Sequence, residues 1–291
     1  MKVKVAVAQY QISFHNHWKD YEEKVTAWVK EASDKDGKIL LFPEYSTLEI
    51  TSLFSQGVYR YLDKQLEAMQ QVFDKYIKLF QGLAAKFGCY IQAGTFPVCD
   101  DSGQYHNHAY FFMPDGQFDY QPKLIMTRFE NEEWGIKSGE QLKVFNTDYG
   151  IIGINVCYDS EFPMFARKQV EAGADLILVP SCTDTLTGYY RVRIACQARA
   201  LENQCYVFQS PTVGNALWNE AVDNNVGAAA IFTPIDKGFP DNGIFALGEL
   251  NKPQWIHAEI DLDKIAKVRK NGQVFNYRDW PRQFDFLNSG E

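Results

Sequence analysis

Three residues stand where covalent chemistry is possible: a thiol, an acid and an amine, each following a largely apolar or aromatic run. Cys157 ends the β-branched stretch Ile151 to Val156 in GIIGINVCYDSEFP, and Pro163 closes a short polar turn before the segment Met164 to Ala172. That pattern predicts a buried strand, a sharp turn and a helix, with the thiol at the strand's carboxyl end and close to a helix amino terminus. A helix terminus favours the thiolate, which is the nucleophilic form. Glu44 stands in KILLFPEYST, again at the end of an apolar strand, and Lys123 stands in DYQPKLIMTRFENEEWG after the run AYFFMP. A thiol needs a base, and the oxyanion of an attacked carbonyl needs a cationic or N–H partner. Glu44, Lys123 and Cys157 have the chemistry for base, oxyanion stabiliser and nucleophile. Each also has a plain structural reading: a core cysteine, a helix-start acid, and one of 29 solvated basic residues.

The blocks LLFPEYS, YQPKLIM and INVCYDSEFP resemble those of the carbon–nitrogen hydrolase (nitrilase-like) superfamily, each carrying one member of a Glu-Lys-Cys triad. AVAQYQ, IQAGTFP, GADLILVPSCTD and RARALENQCYVFQSPTVG resemble further blocks of that family in the same order. The resemblance implies an α/β fold, a four-layer αββα sandwich of two mixed sheets with outer helices, and pairing of copies into a homodimer. It also implies an amidase-type hydrolase of non-peptide C–N bonds, acting on a small linear amide or an N-carbamoyl amine through a thioester, with no cofactor and no metal. A nitrilase and a non-catalytic interaction module of the same fold are the alternatives.

The family's second glutamate, between the lysine and the cysteine, maps to Glu132, seven residues before Gly139, with Glu130 and Glu133 as close rivals. The Tyr158 backbone N–H is the second oxyanion donor expected. Glu161 either lines the pocket, disfavouring an acidic substrate tail, or caps the helix starting near Pro163. Tyr45, Trp134, Tyr158, Tyr189 and Tyr190 are aromatic residues for a pocket wall or for the core. Cys182, in VPSCTD, lacks a paired acid and lysine and is expected in the pocket wall.

Composition argues against nucleic-acid and membrane partners, while the small-molecule amide substrate is what the resemblance implies. The formal charge of −8 opposes nucleic-acid binding, and no apolar run approaches the ~20 residues that span a bilayer. MKVKVAVAQY alternates like a strand and has no signal-peptide apolar core, so a cytoplasmic location is expected. The six cysteines show no CxxC pairing, so reduced thiols are expected, and the histidines lack ligand spacing for structural zinc. His106 and His108 alternate with Asn107 and share one face of a strand.

The elements that must position these residues alternate between strand and helix. Strands are expected at Val3–Ala8, Ile39–Phe42, Tyr90–Thr95, Ala109–Met113, Ile151–Val156, Leu176–Pro180, Tyr206–Gln209, Ala228–Phe232 and Trp255–Ile260. Apolar steps of three and four predict a core-facing helix over Gln65–Phe87, stopped by Gly88, and another over Tyr189–Glu202. With no linker-like run, residues 1–291 read as one domain, whose tail (roughly 272–291) is expected to be extended and to join dimer contacts.

Overall fold

The computed structural model describes residues 1–287. The first half contains β1 (Lys2–Gln11), α1 (Trp18–Asp34), β2 (Ile39–Phe42), α2 (Gln56–Tyr59), α3 (Leu62–Gln70) and α4 (Phe73–Phe87). It continues through β3 (Tyr90–Cys99), β4 (Tyr105–Phe112), β5 (Phe118–Pro122) and the two-residue β6 (Ile136–Lys137). The second half begins with β7 (Val144–Thr147), β8 (Gly150–Ile154), α5 (Pro163–Glu171), β9 (Ala174–Ser181), α6 (Leu186–Asn203) and β10 (Tyr206–Asn215). Then come β11 (Asn224–Asn225), β12 (Ala230–Phe232), β13 (Ile244–Leu247), β14 (Gln254–Asp261), α7 (Asp263–Asn271), α8 (Asn276–Asp279) and α9 (Gln283–Leu287).

The mixed α/β character expected from the alternation is present, and the strands of the two halves are linked into one 14-stranded path. Its main path runs β5-β4-β3-β2-β1-β10-β9-β8-β7. The halves join where β1 and β10 run parallel at Tyr10–Thr212 and Gln11–Val213. The buried Ser210 hydroxyl sits at this seam and donates to the carbonyls of Ala8 and Leu41.

Alternation along the strands decides what each face buries. On β1, Val3, Val5 and Val7 enter one apolar cluster with Ile39 and Leu41 of β2 and with Ile152, Ile154, Leu176 and Leu178 of β8 and β9. That cluster continues to α5 and α6 through Ala166, Val170, Val192 and Cys196. The other face of β1, carrying Ala6, Ala8 and Tyr10, packs on α1 and α4 through Tyr21, Val25, Tyr76 and Phe80. Burial of each large apolar side chain contributes about 1.5–3 kcal/mol, so the strand ends cannot shift cheaply.

Two expected elements differ. The apolar run Gln65–Phe87 is two helices, interrupted at Gln71 and Val72. At the break, the Gln70 side chain bonds Pro97 O and Cys99 N of β3, and Val72 leaves helical geometry at φ −114°. Gly88 ends α4 as expected, in the left-handed region at φ +59°. The tail is not extended over its described part: Asn276–Asp279 and Gln283–Leu287 are helical turns. Arg167 anchors it, donating to Tyr277 O and stacking on the Tyr277 and Trp280 rings. Residues 288–291 of that tail lie outside the described residues. No helix among the described residues is long and apolar enough to cross a membrane.

Candidate active site

Strand direction brings the three blocks together. β1, β2 and β3 are parallel neighbours, β4 reverses, and β5 reverses again, so β5 ends on the same side as β2. In the other half, β8, β9 and β10 are parallel to each other and to β1. Glu44, Lys123, Cys157 and Cys182 therefore all emerge at carboxyl ends of strands, where α/β sheets form their clefts.

Local turns aim the side chains inward. Cys157 takes φ +48° and Tyr45 φ +55°, left-handed conformations that non-glycine residues adopt at a cost of about 1–2 kcal/mol. Tyr45 N donates to Thr95 Oγ1 at 2.9 Å, fixing the turn after Glu44. Gly94, beside that turn at φ +70°, leaves no room for a side chain: a Cβ would stand 2.5 Å from Pro43 O. Lys123 N donates to Asn107 O, continuing the β4–β5 ladder by one residue. The buried Asp159 carboxylate accepts from Leu124 N and Ile125 N, tying the lysine loop to the cysteine turn.

At the centre, the buried Lys123 ammonium donates to Glu44 Oε1 at 2.8 Å and to both Glu130 oxygens at 2.7 and 2.6 Å. Glu44 also accepts from Asn107 Nδ2 at 3.0 Å and from Cys182 N at 3.1 Å. Glu130 accepts from the Tyr45 hydroxyl at 2.6 Å and from the Thr127 N–H and hydroxyl. The Cys157 thiol donates to Cys182 O at 3.7 Å and lies within electrostatic reach of Glu44. A cavity of about 250 Å³ opens from this cluster toward solvent, walled by Tyr45, Phe129, Trp134 and Tyr158, with Arg191 of α6 and Glu220 at its rim.

Burial sets the electrostatics. It pushes Glu44 up to about 7, with Lys123 pulling down and Glu130 pushing up. Burial and then the Glu44 charge hold the Cys157 thiol well above its ordinary range, outweighing Lys123. Burial alone would lower Lys123, but Glu130 and Glu44 keep it well above the usual lysine range. Glu130 is likewise drawn below its usual range by Lys123 against the effect of burial. The expected helix terminus beside the thiol is absent. Cys157 begins a short 3-10 turn over Cys157–Glu161, and α5 starts only at Pro163. Burial thus makes both Cys157 and Glu44 hold their protons more tightly than free groups do.

The structure unites Glu44, Lys123 and Cys157 but moves the second glutamate. Glu132 is exposed and pairs with Arg128 at 2.7 Å, while Glu130 occupies the buried position on Lys123. The reason is local: Phe129–Trp134 winds as a single wide helical turn that points Glu130 and Trp134 inward and leaves Glu132 and Glu133 outside. Glu130→Gln is expected to lower the unfolding free energy by about 3–5 kcal/mol, the loss typical of a broken buried pair. Glu132→Gln is expected to stay within about 0.5 kcal/mol. Thermal denaturation of both variants checks this; equal shifts would contradict the placement.

The remaining assignments divide. Tyr45, Trp134, Tyr158, Glu161 and Cys182 line the cavity. Tyr45 also has a structural task, holding Glu130, and Trp134 donates to Leu62 O at 3.0 Å. Glu161 does not cap α5; it pairs with Arg191 at 3.4 Å across the cavity rim. Cys182 contributes mainly its backbone, and its thiol contacts Asn225 Oδ1 at 3.4 Å. Tyr189 is buried in α6 and Tyr190 faces out, stacked on Arg193, and neither lines the cavity. Asn107, Thr127 and Asp159 were not legible as site residues. Asn107 alone carried a signal: in HNHAYFF it alternates with His106 and His108, whose rings share the opposite face.

The chain matches the carbon–nitrogen hydrolase family over residues 4–270. The probable hydrolase YhcX of Bacillus subtilis is 35% identical over 277 residues, covering 95% of this chain and 53% of its own. The chain therefore spans about half the length of that relative. An omega-amidase of Xenopus laevis, NIT2-B, is 26% identical over 261 residues, 86% of each chain. The crystal structure of Saccharomyces cerevisiae Nit3, from branch 10 of the nitrilase superfamily, superposes with a TM-score of 0.76 at 24% identity, covering 92% of this chain and 93% of that one.

Proposed function

The chain belongs to the carbon–nitrogen hydrolase family, and from that premise we propose that it is a thiol-dependent amidase. Its substrate is a small linear amide or N-carbamoyl amine, and its intermediate is a thioester on Cys157. The observation that carries this reading is the buried Lys123 ammonium shared between Glu44 and Glu130, with the Cys157 thiol against Glu44.

Glu44 takes the thiol proton as sulfur attacks the carbonyl carbon. A base near pH 7 is well matched to that transfer, and burial has placed Glu44 there. Charge then develops on the carbonyl oxygen, which Lys123 Nζ and the Tyr158 N–H receive. Tyr158 lies in the first turn after Cys157, where backbone N–H groups have no intrahelical acceptor. One such donor is worth about 10²–10³ in rate. Glu44 returns its proton to the leaving nitrogen, the C–N bond breaks, and the acyl group stays on sulfur. Glu44 next takes a proton from water, whose oxygen attacks the thioester; the acid leaves and the proton returns to the thiol. Glu130 touches no reacting atom in this scheme; it positions Lys123.

A nitrile would meet the same thiol, but the omega-amidase relative favours amides. Ammonia release over a panel of simple amides, ureido amines and nitriles tests the reading. Turnover of amides or ureido compounds is expected, with kcat/KM rising about tenfold per pH unit below pH 7 and levelling above it, because Glu44 must be ionised to act as base. Turnover of nitriles alone, or a rate that falls as pH rises from 5 to 7, would contradict it.

A further inference from the structure

An ammonium has three N–H groups, and Lys123 gives all of them to buried carboxylates. They go to Glu44 Oε1 at 2.8 Å, Glu130 Oε1 at 2.7 Å and Glu130 Oε2 at 2.6 Å. The oxyanion of an attacked carbonyl needs one of these donors, so a bond to a buried carboxylate must be given up. An oxygen left without a donor in the interior offsets much of what the oxyanion gains, unless another donor already stands on it.

The two glutamates differ in what would remain. Glu44 Oε1 would keep only the Asn107 amide at 3.0 Å. Glu130 is better supplied: Oε2 keeps the Thr127 N–H and hydroxyl at 2.9 and 2.8 Å, and Oε1 keeps the Tyr45 hydroxyl at 2.6 Å. Tyr45 is thus the single stand-in on Oε1. Its backbone is held at φ +55°, a conformation uncommon for a residue with a side chain. From that turn, one residue after Glu44, the buried ring packs on Trp134 at 5.0 Å and sets its hydroxyl on Glu130. Burial, then the charges of Glu130 and Glu44, hold the phenol well above its ordinary range, so it stays a donor.

Resting on the thiol-amidase reading, we propose that Tyr45 is a positioning residue for the oxyanion step. As charge develops on the carbonyl oxygen, Lys123 turns one N–H from Glu130 to that oxygen, and the Tyr45 hydroxyl alone then holds Glu130 Oε1. The phenol keeps its proton throughout, and Glu130 stays charged and in place to receive the N–H back.

Tyr45→Phe keeps the ring and the cavity wall and removes one oxygen. On an accepted amide kcat is expected to fall about tenfold or more, the worth of one hydrogen bond to a charged group, with KM within about twofold. Butanal gives a second readout that needs no turnover. The Cys157 sulfur adds to its carbonyl carbon, the thiol proton passes through Glu44 to the carbonyl oxygen, and that oxygen of the hemithioacetal takes the oxyanion's place. The butanal concentration that half-protects Cys157 from methyl methanethiosulfonate should rise about tenfold in the variant. Thiolation without butanal, which builds no oxyanion, should stay within about twofold of wild type. An unmoved kcat, an unmoved butanal protection, or an equal loss in bare thiolation would overturn the proposal while the amidase reading stands. Butanal protection that depends on Tyr45, in an enzyme that hydrolyses no amide, would overturn the amidase reading and leave the hydrogen-bond exchange standing.

Discussion

Cys157→Ala is expected to remove amide turnover by about 10⁴-fold or more while leaving the fold intact, because residues acting as one catalytic unit are lost together. The thiol lies at the floor of the cavity against Glu44 and Cys182 O, and no other sulfur there meets a base. Cys182 is the nearest rival. Its thiol contacts Asn225 and burial pushes it up to about 12, so it cannot substitute. Deleting one buried sulfur costs about 1–2 kcal/mol of packing, which in a chain of this size shifts Tm by a few degrees. Ammonia release and far-UV circular dichroism together check the expectation. A folded variant retaining more than about a hundredth of the activity would place the nucleophile elsewhere.

Lys123→Met is expected to damage both stability and rate. The substitution keeps the bulk and removes the charge, leaving Glu44 and Glu130 buried and facing each other. Breaking a buried pair in this way typically costs about 3–5 kcal/mol, which corresponds to a Tm lower by roughly 6–20 °C at ~2–4 °C per kcal/mol. The sign of its pH dependence follows from the same charges. Without Lys123, both carboxylates lose the group that pulls them down, so Glu44, already above its unfolded value, rises further and Glu130 rises from below its own. Stability held by protonated carboxylates is present at low pH and is lost as pH rises through those values. The variant should therefore lie closest to wild type near pH 5 and fall furthest below it near pH 8. Its rate should fall about 10³-fold or more, since the oxyanion loses a donor and Glu44 loses its tuning. Differential scanning calorimetry at the two pH values checks the first part. A loss that grows toward pH 5 would show that Lys123 does not neutralise these acids.

Glu44, Lys123 and Cys157, the residues of the proposed mechanism, were legible because each follows an apolar or aromatic run, and parallel strands deliver such ends to one side of a sheet. Glu130 was not. In FENEEWG three glutamates crowd four positions, and only the pitch of the wide turn over Phe129–Trp134 decides which one points inward. The environment of the thiol was misread for a related reason. A Pro163 helix start was visible, but the 3-10 turn between it and Cys157 keeps the thiol away from the α5 terminus. Glu44, brought close only by folding, then raises the thiol further. In the same way, apolar spacing alone cannot place the break between α3 and α4, because bonds from Gln70 to a strand distant in sequence fix it. The part of the cavity rim at Glu220 and Asp223 has no sequence signature at all. It comes from a short turn after β10 that the fold lays across the cavity mouth.

In the proposed mechanism the acyl group is carried on the sulfur of Cys157. Acid-quenching the enzyme during turnover of an accepted amide, followed by intact and peptide mass measurement, tests it most directly. The predicted result is a mass increase equal to the acyl group, carried by the peptide containing Cys157 and by no other cysteine peptide. Steady hydrolysis with Cys157 unmodified at every quench time, in an enzyme whose Cys157→Ala variant still turns over, would contradict it.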